Sequence, residues 1–119
     1  MDPIGKRRWA IAEGYIPPES TGSGRALESH ETACILNAGD ADAHVAITIF
    51  YAEREPDAPY RLTVPARRTA HVRFNDLGVP KGTDYASVIE SDVPIVVQHT
   101  RLDSRQAALA LLTSVAYSD

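Results

Sequence analysis

The sequence predicts an all-β domain, an antiparallel β-sandwich of about seven to eight strands. Three observations predict it. Short segments alternate with a period of two, as side chains do on a half-buried strand. Turn residues punctuate the chain at hairpin spacing. The segments between the turns are rich in valine, isoleucine, threonine and aromatic residues.

The segments run in order. Residues 8–13 (RWAIAE) place Trp9 and Ile11 on one face. Residues 30–36 place Thr32, Cys34 and Leu36 together. Residues 44–51 set Val45, Ile47, Ile49 and Tyr51 against His44, Ala46, Thr48 and Phe50. Residues 60–64 contribute Leu62 and Val64, and residues 69–74 contribute Ala70, Val72 and Phe74. Residues 85–90 and 95–102 complete the set, separated by a predicted turn at Asp92, Val93 and Pro94. Two polar connections, 15–27 and 75–84, read as long surface loops. The first contains the turn signal at residues 21–24 (TGSG). Residues 103–112 have helix-forming composition behind Asp103 or Ser104 as N-cap. They predict one short helical turn near the C-terminus followed by a last strand, or a plain turn feeding that strand.

Length and charge narrow the function. The chain has 119 residues, which fits one domain over residues 1–119. It carries 16 acidic against 12 basic residues, unlike the strongly basic domains that bind nucleic acid. No run approaches the length that crosses a bilayer, and no apolar signal core follows the basic start, so the chain reads as cytoplasmic. The single cysteine, Cys34, lies in an apolar run and reads as a small packed hydrophobe.

Motifs for catalysis are missing. The four histidines, His30, His44, His71 and His99, show no metal-ligand spacing, and no cofactor motif is present. There is no nucleophile elbow. Glu13, Glu31, Asp76 and Asp103 offer carboxylates, but nothing selects a pair of them. The chain therefore reads as a binding module and not as an enzyme.

Two clusters remain as candidate sites. Alternation continues the inward row of the last long segment as Ile95, Val97, His99 and Arg101. Polar groups thus intrude on a core-facing row, where they need partners. Glu13, Glu31 and Asp103 are candidate carboxylates for Arg101, and Trp9 and Arg105 complete a candidate ligand pocket or interface. The second cluster is basic: Arg61, Arg67, Arg68, His71 and Arg73 lie on or around one hairpin and suit docking of a partner or an anion.

Five blocks carry a family resemblance. They are residues 9–18 (WAIAEGYIPP), 29–32 (SHET) with 34–40 (CILNAGD), 59–69 (PYRLTVPARRT), 71–77 (HVRFNDL) and 93–107 (VPIVVQHTRLDSRQA). Together they resemble the sensory rhodopsin transducer family over nearly the whole chain. The resemblance implies a β-sandwich assembled as a homotetramer, a cytoplasmic signal-transduction module that meets a membrane photoreceptor, a sensory rhodopsin. It also implies weak DNA contact and, through similarity to carbohydrate-binding modules, a sugar-like ligand. A small-ligand sensor is the alternative function. No catalytic residue is implied.

Overall fold

The computed structural model describes residues 4–22 and 24–119. The predicted turn at residues 21–24 includes Ser23, which lies outside the described residues, as do residues 1–3. Among the described residues eight strands form, all paired antiparallel: β1 (Lys6–Tyr15), β2 (His30–Asn37), β3 (Ala43–Tyr51), β4 (Tyr60–Val64), β5 (Arg68–Arg73), β6 (Asp84–Asp103), β7 (Ala110–Val115) and β8 (Tyr117–Ser118). The all-β class read from the sequence is observed.

Strand β6 organises the molecule. Its first part pairs with β1 and β3, in the order β4-β3-β6-β1-β8. Its second part pairs with β2 and β7, and β2 in turn pairs with β5. The eight strands thus make one open sheet of two halves that share β6. The expected break at Asp92, Val93 and Pro94 does not occur, because β6 continues through it without interruption. Pairing partners change there instead: Ser91 faces Val45, Ile95 faces Lys6, and Val96 faces Leu36. A proline without an N–H is tolerated where a strand passes between ladders.

The apolar rows of both halves meet in a single core. Trp9, Ile11, Ile47 and Ile89 come from one half, and Ile35 and Val97 from the other. Ile35, Ile89 and Val97 are fully buried. Burying an aliphatic side chain of this size stabilises the fold by roughly 1.5–3 kcal/mol. In β2 it is Ala33 and Ile35 that point inward, so Cys34, grouped with Thr32 and Leu36 in the sequence, faces outward. It is half-buried, with its Sγ 3.8 Å from Thr100 Oγ1, and not packed in the core as expected.

The register collects the long connections at one end of the molecule. Tyr15 faces Asp84, Tyr51 faces Tyr85, and Asp103 faces Ala110. Residues 16–29, 52–59, 74–83 and 104–109 therefore lie together. The first of these is pinned down. Thr21 donates from its N–H to Ser104 O (2.5 Å), and its hydroxyl donates to the same carbonyl (2.8 Å). Buried Ser29 and Ser104 join side chains at 3.1 Å. The predicted helical turn near the C-terminus is not formed: residues 105–108 are bends, and β7 begins at Ala110. The 3-10 turns fall instead at Arg25–Leu27 and Phe74–Leu77. Pairing of Ala110 to Val115 with β6 overrides the helical propensity of that stretch.

Candidate functional site: a buried carboxylate at the loop end

The polar intrusion read from the sequence becomes an ionic centre. Glu31 sits on the inward row of β2, between Ser29 and Ala33, and its side chain is fully buried. Its neighbour in register on β6 is Arg101. Arg101 Nε donates to Glu31 Oε2, and Arg101 Nη2 donates to Glu13 Oε2 on β1 at 2.6 Å. Tyr85 OH, from the first part of β6, donates to Glu31 Oε1, as does the backbone N–H of Tyr15 at 3.1 Å. Four strand segments from both halves thus converge on one carboxylate.

Gly14 makes room for this convergence. A Cβ there would lie 2.6 Å from Tyr85 Cζ, far inside contact distance. Asn75 closes the site from behind, accepting from the Glu31 N–H at 3.3 Å and donating to Ser29 O at 3.1 Å. Sequence reasoning missed Tyr85 and Asn75. The inward parity of Tyr85 with Ser87 and Ile89 was the available signal.

The electrostatics follow from the geometry. Burial alone would raise the Glu31 pKa, but the facing His99, Tyr85 and Arg101 side chains hold it below its ordinary value. Glu31 is therefore ionised. Burial first, and the Glu31 charge second, push the Tyr85 hydroxyl far above the ordinary tyrosine range, so it remains a donor. His99 is buried as its parity predicts. Its Nε2 lies 3.6 Å from Glu31 Oε1, beyond a hydrogen bond, and has no partner.

The other predicted site residues divide. Asp103 pairs with Arg105 and not with Arg101; the Arg105 Nη2 to Asp103 Oδ2 distance is 2.6 Å. The pair borders a concavity of about 460 Å³ shared with Glu19 and Gln106. Trp9 does not join the site. It is buried in the core, where its indole N–H faces Lys6 O at 3.0 Å and Ile95 O at 3.1 Å.

The basic cluster does not converge either. Arg61 lies on β4, and Arg67 and Arg68 lie at the turn between β4 and β5. Arg73 is at the far end of β5, paired with Glu28 and donating to Arg25 O. Arg67 pairs with Asp40 at 2.9 Å. His71 faces outward beside Cys34. Among the described residues no cluster of histidine, cysteine and carboxylate side chains could hold a metal ion.

Fold and site together describe a β-module whose charged residues serve internal cohesion at one end. Residues 4–118 match the family described as Anabaena sensory rhodopsin transducer, and the chain belongs to that family. Several solved structures are similar to it, two of them as follows. The structure titled Anabaena sensory rhodopsin transducer is 68% identical, covering 90% of this chain and 96% of that one with a TM-score of 0.76. The crystal structure of Thermotoga maritima 1070 is 35% identical, covering 97% and 96% with a TM-score of 0.89. No curated protein sequence matches the chain.

Proposed function

We propose that the chain is a cytoplasmic signal-transduction module and not an enzyme, which works as a homotetramer and docks through its loop end to a membrane receptor of the sensory rhodopsin kind. The observation that carries this reading is membership of the transducer family over residues 4–118. The 68% identity to the Anabaena transducer supports the same receptor class.

The surface supports assembly. β7 pairs with β6 on one edge, and its other edge has no partner among the described residues. Both of its faces carry open apolar side chains: Leu111 is 69% exposed, Leu112 52% and Val115 67%, and Tyr117 follows at 72%. A long apolar edge strand is a hazard that burial between copies removes.

The geometry favours docking over small-ligand sensing. The polar row satisfies its charges internally, so Glu31, Arg101 and Glu13 offer little to a sugar-like ligand. The dispersed arginines likewise give a DNA backbone little to follow. Light scattering tests assembly, with a tetramer expected and a clean monomer contradicting it. Calorimetric titration against a purified sensory rhodopsin tests docking, and no heat at low salt would remove the receptor from the account.

A further inference from the structure

The connection between β3 and β4 holds a site that neither the family match nor the ionic centre accounts for. It reads Ala52-Glu53-Arg54-Glu55-Pro56-Asp57-Ala58-Pro59. Its one cation is already engaged. The Arg54 guanidinium carbon lies 3.8 Å from the Tyr51 ring centroid. Arg54 Nη1 donates to Asp57 Oδ1 at 2.9 Å. An aromatic face and a carboxylate thus already hold a guanidinium. Glu53 and Glu55 are exposed and have no ion-pair partner among the described residues.

Two concavities border this stack. One, of about 660 Å³, is lined by Phe50, Tyr51, Glu53, Arg54 and Glu55. The other, of about 440 Å³, is lined by Tyr51, Arg54, Pro80 and Asp84. Phe50 is 40% exposed at the rim. Aromatic faces bordered by carboxylates attract cations, and a planar fork gains most from both.

We infer that the tip of β3 and the 52–59 connection form the docking site for an arginine-rich segment of a partner polypeptide, with Arg54 as the resident cation that such an arginine joins or displaces. The inference rests on the docking reading above and names its chemistry. Charge decides the kind of partner. The carboxylates repel anionic lipid and nucleic-acid phosphate, whereas the cytoplasmic loops of membrane proteins are rich in lysine and arginine.

The test uses a fluorescent peptide of alternating arginine and alanine and a control peptide with citrulline in place of each arginine. Anisotropy should detect the arginine peptide only, with affinity falling as salt rises. The triple variant E53Q/E55Q/D57N should bind about eightfold more weakly, each exposed pair supplying roughly a factor of two. Arg54→Gln should bind about twofold more tightly, since it frees Tyr51 and Asp57. Equal binding by the triple variant, binding of the citrulline peptide, or weaker binding by Arg54→Gln would each overturn the inference. So would capture of phosphatidylcholine vesicles in place of the peptide. If the rhodopsin binds wild type and triple variant alike, this site fails and the docking reading stands. If the peptide results hold and no receptor binds, the reverse is true.

Discussion

Two groups of charged residues stand out in this chain, and the structure treats them oppositely. The group around Glu31, Arg101, Glu13 and His99 is scattered over nearly the whole sequence, yet it converges on one buried carboxylate. The group from Arg61 to Arg73 is compact in sequence, yet it does not converge: Arg67 and Arg73 pair with separate carboxylates, Asp40 and Glu28. Proximity along a hairpin says little about convergence. Register and parity say more: an inward row brings distant strands together, and an outward row spreads its residues over a solvated face.

The contrast can be broken by mutation. Glu31→Ala should give the largest effect, destabilising the protein by about 3–5 kcal/mol in urea unfolding, because Arg101 keeps only the exposed Glu13 as partner while the Tyr85 hydroxyl and the Tyr15 N–H lose their acceptor. Tyr85→Phe removes one donor to the same carboxylate and should cost about 1–3 kcal/mol in the same assay. In the hairpin, Arg68→Ala should change stability by less than about 0.5 kcal/mol. Arg67→Gly should instead stabilise by up to about 1 kcal/mol, since Arg67 holds φ +54°, a left-handed conformation that suits glycine. A large loss from Arg68→Ala, or none from Glu31→Ala, would reverse the comparison.

Acidity sharpens it further. The folded Glu31 pKa lies below its ordinary 4.5. Its contribution is therefore complete above pH 4.5 and is lost as pH falls through the folded value. Stability measured from pH 6 downward should show that loss in wild type and not in Glu31→Gln. The exposed His44–Asp92 pair acts in the other direction. The side-chain hydrogen bond to Asp92 raises the His44 pKa above 6.5, so its support is complete below pH 6.5 and fades as pH rises through the folded value. His44→Ala should flatten that slope, the smallest effect predicted, because both side chains are largely exposed.

Much of this was legible in the sequence. Alternation identified most inward rows, including the intrusion of His99 and Arg101, though in β2 it singled out Thr32, Cys34 and Leu36 where Ala33 and Ile35 point inward. Glu13 and Glu31 were among the carboxylates named for Arg101. What alternation cannot supply is register. That Tyr85 meets Glu31, that Trp9 sits in the core away from the site, and that Asp103 turns to Arg105 all depend on which strands lie side by side. Local signals also misled where tertiary pairing won. Pro94 suggested a break that β6 does not have, and the Ala-Leu run after Gln106 suggested a helix where the ladder with β6 makes β7.

The central claim is that the loop end, and not the arginine hairpin, meets the receptor. Calorimetric titration of the purified rhodopsin with wild type, E53Q/E55Q/D57N and R67A/R68A tests it most directly. The account predicts binding that weakens with salt, falls about eightfold in the loop variant and is unchanged in the hairpin variant. Unchanged binding by the loop variant with loss in the hairpin variant would contradict it.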